Sequence, residues 1–410
     1  MIEKYYDGAI EQVAAGLGTV EKNHLLVRYS GQFSIEELSY KDQLEKIFVQ
    51  MHEFEPGEIT SAYEPYLTMI CDGFRRYMTG TFEEFMEECD VYYLHRPVLL
   101  GYFNRGYAKR EEIILLDEVA YEQERMLAAL ERMLYAIADR HPVLLILNRF
   151  QLASKSTMQL TARILKAENS NIGLVLGVSD IQAMPEFLVP DWEMLYETLD
   201  DGSKIYHIGN SGRKKEEIAD DGKYADYGSE KVYRKLQNMV EFLDFDQAAY
   251  YLEVIERKIK FDNLFVDDPA RFRMWLLFAK VSILRKDIPK ALEICEDLEK
   301  IHLAGREDEC AYEQDYLIAT AYMYQGKLKE ALEMAGETYC IAEKISDDYR
   351  KFLSELLKTQ IQMSGWYNIF FCAQDVKREK SLTENLIRYN YRNHLAHVYI
   401  YAYDNKPEIV

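Results

Sequence analysis

The chain reads DYLIATAYMYQGKLKEAL from Asp315 to Leu332 and WLLFAKVSILRKDIPKAL from Trp275 to Leu292. Each stretch fits one template, in which a helix, a tight turn and a second helix follow one another. A unit of this kind buries its apolar faces only by stacking against its neighbours. The two stretches therefore predict that the C-terminal part of the chain is an all-α solenoid of helical hairpins.

Small side chains occupy the same places in both copies. Ala279 and Ala319 lie midway along the first helix, and Ala291 and Ala331 follow in the second helix. Two helices approach closely only where the facing side chains are short. We therefore expect these alanines to pack between helices, as do the aromatic residues of the first helices, Trp275 and Tyr322.

The turns between the helices extend the series. Gly326 stands where such a turn requires a left-handed backbone, and Lys286 takes that place in the earlier copy. Equivalent positions at Asp244, Gly365 and Asp404 give steps of 42, 40, 39 and 39 residues. These features resemble the tetratricopeptide family, whose usual repeat is about 34 residues. Longer helices in each hairpin would explain the longer step.

The last predicted turn, at Asp404, is followed by six residues, so its second helix would be missing. A solenoid normally ends on a repeat with a polar outer face. We expect either that the chain is a piece of a longer protein or that a partner or dimer mate covers this end.

Length and charge limit the classes of function. A chain of 410 residues fits two domains. Its 49 Lys and Arg against 70 Asp and Glu give a net charge of −21, with no basic run to offset it. Binding to nucleic acid requires a Lys and Arg face, so we do not expect it of these residues.

The sequence also predicts where the protein resides. The chain starts without a signal peptide's apolar segment, and its apolar runs are far shorter than a membrane span. None of the six cysteines forms a close pair, which indicates reduced, buried thiols. We expect a cytoplasmic protein without membrane contact, with cysteines at Cys71, Cys89, Cys295, Cys310, Cys340 and Cys372.

The N-terminal part has a different pattern, in which short apolar runs alternate with amphipathic stretches. Continuous apolar runs of this length are typical of buried parallel strands in an α/β sheet. The stretch from Glu118 to Arg140 carries apolar residues at helical spacing and predicts a long helix. The predicted strands are 24–29, 143–147, 172–177 and 204–208.

One strand and its continuation read PVLLILNRFQLASKSTMQL from Pro142 to Leu160. This stretch resembles the Walker B strand of the signal-transduction ATPases with a tetratricopeptide sensor, the LuxR-type maltotriose-regulator group, and residues 172–178 resemble the sensor strand. The resemblance implies a P-loop NTPase-like parallel sheet. In that family two acidic residues end the strand and hold Mg²⁺, but here Asn148 and Arg149 stand in their place. Arginine would repel the metal.

The predicted phosphate loop departs from the family in the same way. After the strand 24–29 the chain has Gly31 and then Glu36 and Glu37, where Gly-x4-Gly-Lys-Ser/Thr would be required. Two carboxylates and no lysine disfavour phosphate. Asp180 stands near the position of the family's sensor arginine. We therefore predict a degenerate ATPase domain without cofactor, metal or catalytic activity, unless the α/β pattern belongs to another fold.

Other candidate sites have plainer interpretations. His394 and His397 could ligate a metal from one helix face, but His397 occupies a packing position. Asp117 and Glu118 could imitate an acidic strand end, but they fit the start of the long helix better. Tyr322 and Tyr324 could line a peptide groove, although tyrosines at these positions pack first in the core; no Ser-His-Asp or Cys-His set is visible.

Three hypotheses for function follow. The leading one is a regulatory or scaffold protein of bacterial signal transduction, with a pseudo-ATPase domain at 1–210, a polar linker at 211–230 and repeats at 231–410 that bind a protein, peptide or effector. The second is the N-terminal part of a LuxR-type transcriptional regulator whose DNA-binding domain lies beyond residue 410. The third is an enzyme with an unrecognised site.

Overall fold

The computed structural model describes residues 2–19, 24–29, 46–108, 119–167, 169–179, 184–200, 204–208, 227–262, 264–301 and 303–365. The chain divides into two compact units. Unit 1 comprises Met1–Lys109, Ala120–Tyr227 and Arg234–Gln247, and unit 2 comprises Arg110–Val119, Gly228–Tyr233 and Ala248–Val410. Among the described residues, no helix is both long enough and apolar enough to span a membrane.

Unit 1 contains a five-stranded sheet in the order β2-β3-β4-β1-β5, in which every pair of neighbours is parallel. All four predicted strands are confirmed. β3 and β4 are buried along their whole length, as continuous apolar runs require. The strands are β1 (His24–Tyr29), β2 (Phe48–Glu53), β3 (Val143–Asn148), β4 (Ile172–Ser179) and β5 (Lys204–Ile208).

The sequence did not predict β2. Its residues, FVQMHE, contain no continuous apolar run, because only Phe48 is buried and the other five are half-buried. In the sheet order, β2 is an edge strand that pairs with β3 alone. An edge strand of mixed polarity has neither the apolar run of a central strand nor a clean alternation.

Helices also lie before the first strand and between later strands of the sheet along the chain. The predicted long helix is confirmed as α5. These helices are α1 (Ile2–Gly16), α2 (Tyr66–Tyr77), α3 (Phe82–Glu88), α4 (Arg96–Arg105), α5 (Val119–Arg140), α6 (Lys155–Lys166) and α7 (Val189–Asp200).

Helix α1 packs on the sheet at a glycine. Ile10 and Val13 of α1 share a buried cluster with Leu25, Val27 and strand residues of β3 and β4. A Cβ on Gly173 of β4 would lie 2.5 Å from Cγ1 of Val13. The close approach of helix and strand therefore requires glycine at this position.

The C-terminal half is all α-helical within its described residues, so the predicted order of an α/β part and then an all-α part is confirmed. The helices are α8 (Glu230–Glu241), α9 (Phe245–Phe261), α10 (Asp268–Leu284), α11 (Ile288–Leu298), α12 (Glu307–Tyr324), α13 (Leu328–Lys344) and α14 (Asp348–Gly365).

The turns between these helices agree with the sequence pattern in two places and differ in a third. Lys286 and Gly326 have φ angles of 66° and 77°, as the left-handed position requires. Before α9 the left-handed residue is Leu243, with φ of 69°, so the turn position lies one residue before the predicted Asp244. Gly365 is the last residue of α14, and Asp404 lies outside the described residues.

The small residues pack as predicted. Ala279, Ala291, Ala319 and Ala331 are all completely buried, and Trp275 is 4% exposed. Around the last two alanines, a cluster from α12, α13 and α14 holds Ala335, Leu357 and Ile361, with the half-buried Tyr322 and Tyr324 packed against it. The two tyrosines therefore contribute to the core.

Candidate functional site

The carboxyl ends of the parallel strands meet at one edge of the sheet. β1 and β4 are neighbours in the sheet. The strand that follows β1 in the sequence, β2, lies at one end of the sheet, and the strand that follows β4, β5, lies at the opposite end. Ligands of open α/β sheets bind outside the strand ends at such a switch point. The residues that end four strands here are Tyr29, Glu53, Asn148 and Ser179.

Asn148, predicted at the first metal position, is completely buried in this edge. Its Oδ1 accepts a hydrogen bond of 2.7 Å from the hydroxyl of Tyr29, and its Nδ2 donates one of 3.2 Å to Oε1 of Glu53. The side-chain amide thus connects the ends of β1, β2 and β3, and both of its polar atoms have protein partners.

Arg149, predicted at the second metal position, forms two ion pairs. Its guanidinium lies 3.3 Å from Oε1 of Glu53 and 3.0 Å from Oε2 of Glu55, and its side chain is 17% exposed. We call Tyr29, Glu53, Glu55, Asn148 and Arg149 the edge network. Both carboxylates already pair with the positive charge of Arg149, which would repel a divalent cation, so this arrangement does not fit Mg²⁺.

The backbone of Arg149 is itself unusual, because its φ of 53° and ψ of 41° are left-handed. This conformation costs a non-glycine residue about 1 kcal/mol. Phe150 anchors the turn that follows, since it is completely buried and its ring lies edge-on to Phe54 at 6.1 Å. The packed phenylalanines and the two ion pairs together hold Arg149 in this geometry.

Burial raises the pKa of Tyr29 to about 12, and the positive charge of Arg149 only partly opposes this effect. The phenol therefore stays protonated at neutral pH and donates to Asn148. A neutral tyrosine and a neutral amide line the inner part of the edge, with the charged Glu53 and Arg149 outside them.

The loop from β3 to α6 is also fixed. The side chain of Gln151 donates to the carbonyl of Ser179 at 3.2 Å and accepts from its N–H at 3.3 Å, which joins the loop to the end of β4. Ser154 is the N-cap of α6, and its hydroxyl accepts from the N–H of Thr157. A serine directly before a helix commonly caps it in this way.

A second polar cluster lies within unit 1 at the start of α6. The N–H of Ser156 donates to Oδ2 of Asp244 at 3.0 Å, and the N–H of Lys155 donates to Oε1 of Gln247 at 3.3 Å. The ammonium of Lys155 forms an ion pair with Asp246. We call these five residues the joint. A small polar cavity of about 60 Å³ adjoins them.

The structure brings Asn148 and Arg149 together, as the sequence predicted, and adds partners that the sequence did not reveal. Glu53 lies at the end of an unpredicted strand, and Asp244 is 88 positions from Ser156 along the chain. The predicted residues Gly31, Glu36, Glu37, Asp117, Glu118, Asp180, His394 and His397 lie outside the described residues.

The repeat-packing residues take no part in either cluster. Within the described part of the chain, no group of three or more His, Cys, Asp or Glu side chains could hold a metal ion. The described cysteines are free thiols, and Cys71, Cys89 and Cys295 are buried. Comparison of the chain with protein-family models, curated proteins and solved structures found no match.

Proposed function

We propose that this chain is a non-catalytic regulatory or scaffold protein, in which a pseudo-ATPase domain supports helical repeats that bind a protein, peptide or small effector. The observation that carries the proposal is the pairing of Arg149 with Glu53 and Glu55 at the carboxyl edge of the sheet. An ATPase of the resembled kind holds Mg²⁺ with carboxylates at this place.

The sheet supports the proposed descent. β4, the predicted sensor strand, lies between β1, which precedes the predicted phosphate loop, and β3, the predicted Walker B strand. The carboxyl ends of these three parallel strands therefore lie at one edge, as a nucleotide site would require. The side chains described at this edge, Tyr29, Glu53, Asn148 and Arg149, pair with one another instead of presenting groups to a phosphate or a metal.

The helices support the proposed partner binding. Left-handed residues at the turns between helices and buried alanines between the helices are features expected of stacked helical hairpins, and they support this proposal. Such arrays use an extended surface to hold another molecule and need no reactive groups. The surface of unit 2 carries paired charges, for example Arg350 with Glu313, and the guanidinium of Arg350 lies over the ring of the buried Tyr312.

Isothermal titration of the full chain with ATP and Mg²⁺, together with a phosphate-release assay, tests the proposal. We expect no saturable heat up to about 1 mM nucleotide and no turnover above buffer. A cooperative thermal transition of the same sample shows that the protein is folded. Micromolar binding or measurable hydrolysis would contradict the proposal.

A further inference from the structure

Three helix–helix turns of this chain share one construction. In each, an aspartate follows directly after a left-handed residue, at Asp244, Asp287 and Asp347. The same construction places the carboxylate at the same point of each turn. The preceding residues have positive φ angles, of 69° at Leu243, 66° at Lys286 and 55° at Ser346.

Two of these aspartates cap the helix that follows them. Oδ1 of Asp287 accepts from the N–H of Lys290 at 3.2 Å, in the first turn of α11. Oδ1 of Asp347 accepts from the N–H of Arg350 at 3.0 Å, in the first turn of α14. This local capping is the ordinary use of an aspartate before a helix.

The carboxylate of Asp244 has a different target. It accepts a hydrogen bond from the N–H of Ser156, which belongs to α6 and precedes Asp244 by 88 positions in the sequence. Gln247 accepts the neighbouring N–H of Lys155, and Asp246 pairs with the ammonium of Lys155. The first free N–H groups of α6 are therefore satisfied by the turn between α8 and α9.

The interior of the joint is polar. Asp244 is 4% exposed and Gln247 is 1% exposed, and the cavity beside them is lined in part by Tyr63, Gln123 and Gln159. Burial raises the pKa of Asp244, and the hydrogen bonds from Ser156 oppose that effect. Polar groups that are joined by a few hydrogen bonds next to a cavity can exchange those bonds for bonds to water. A packed apolar contact has no such alternative.

The same helix start is connected to the edge network. Six residues separate Asn148 from Lys155, and the loop they form is held by Gln151 on Ser179 and by Ser154 on Thr157. A shift of Arg149 would therefore move the whole short loop. The loop ends at the N–H groups of Lys155 and Ser156, which donate to Gln247 and Asp244. The edge network and the joint are the two ends of one loop.

We propose that the turn between α8 and α9 is a conformational latch on α6, which closes while the loop from β3 to α6 keeps its present geometry. A change at the edge network opens the joint and frees the start of α9, which continues from Gln247 into unit 2. By reciprocity, anything that pulls α9 away from α6 loosens the edge network. This proposal holds whether or not the chain binds a nucleotide.

Hydrogen–deuterium exchange of the full-length chain, read by mass spectrometry, tests the latch. Asp244→Ala removes the acceptor for Ser156, and we expect exchange of residues 154–158 and also of 148–152 to rise by about fivefold or more. Arg149→Ala should accelerate exchange of residues 154–158 and 243–247 in the same range. Asp244→Asn keeps an acceptor oxygen and should stay within about twofold of the wild type.

Asp287→Ala is the matched control, because it removes a cap at the same point of the next hairpin. It should accelerate exchange only at the start of α11. The latch is contradicted if Asp244→Ala changes exchange no farther away than Asp287→Ala does, or if Arg149→Ala leaves residues 154–158 and 243–247 unchanged. Should Asp244→Ala not fold, Gln247→Ala and Arg149→Ala decide the question by the same readout.

Discussion

Glu53 contacts two neighbours at once, since its Oε1 accepts from Asn148 and pairs with Arg149. Its side chain is 12% exposed, whereas that of Glu55, the other partner of Arg149, is 51% exposed. A carboxylate shielded from water interacts more strongly with its partners than an exposed one does. The two glutamates therefore form a matched pair for experiment.

We expect Glu53→Ala to lower the free energy of unfolding by about 2 kcal/mol, because it leaves Asn148 and Arg149 without a partner that both use. Glu55→Ala should lower it by less than about 0.5 kcal/mol. Urea denaturation of both variants measures the difference. Equal effects would show that the inner ion pair does not hold the edge network together.

Asp315 of α12 carries a charge that the fold disfavours. Burial, followed by the nearby charges of Glu337 and Glu299, raises the pKa of Asp315 to about 6 from 3.8. Above about pH 6 the folded state bears the whole penalty of the charged carboxylate. As the pH falls from 6 toward 4, the folded state takes up a proton that the unfolded state does not, so this group makes folding more favourable.

Asp315→Asn removes this titration. At pH 7.5 we expect the variant to be more stable than the wild type by about 1 kcal/mol, after allowance for screening by solvent, and the gain should disappear near pH 4. Urea denaturation at both pH values measures it. Glu330→Gln, an exposed carboxylate in the same unit, controls for the change in net charge. A gain that persists at pH 4 would contradict this explanation.

Among the elements, α1 and β4 approach each other closely at a single glycine. Gly173→Ala should lower the free energy of unfolding by more than about 2 kcal/mol, because the added Cβ meets Val13 at 2.5 Å. The second substitution Val13→Ala should recover part of that loss, and the non-additivity of the pair is the measurement. Strict additivity would mean that α1 does not pack as described.

Gly336→Ala provides the contrasting case for the same substitution. Gly336 lies inside α13, and an added Cβ would have no atom within 4 Å. Alanine is the better helix former, so this variant should gain about 0.5 to 1 kcal/mol in thermal or urea denaturation. A loss of stability at Gly336 would indicate a neighbour that the described contacts do not contain.

The elements also show what could be predicted from the sequence. β1, β3 and β4 are central strands, so their apolar runs are long and visible, and the alanines and left-handed turns of the hairpins recur at fixed spacing. β2 has no such run, because only Phe48 of its six residues is fully buried, and its pattern therefore does not predict a strand. The turn at Asp244 was placed one residue away because aspartate favours such turns and the left-handed leucine before it does not.

The candidate site was predictable only in part. Asn148 and Arg149 could be placed at the sheet edge because a parallel strand ends there, whatever the rest of the fold. Their partner Glu53 and the target of Asp244 depend on pairings between residues about 90 positions apart, which leave no local pattern. A pairing of this kind becomes visible only when the chain is folded.

For the molecule as a whole, the parallel sheet ends in an edge network whose polar side chains pair with one another. The net charge of −21 belongs to a surface that repels anions, including nucleotides, over and above the local arrangement. Both features favour a protein that acts by binding partners through its helices. Under the proposed function, the side chains at 148 and 149, and not the shape of the sheet, prevent metal binding at this edge.

A titration of Mn²⁺ followed by electron paramagnetic resonance tests that claim most directly. In about 150 mM salt, which screens general surface charge, the wild type should leave the signal of free Mn²⁺ unchanged. The double variant Asn148→Asp, Arg149→Asp presents two carboxylates beside Glu53 and should bind about one Mn²⁺ per chain below about 1 mM. Micromolar binding of one Mn²⁺ by the wild type would contradict the claim.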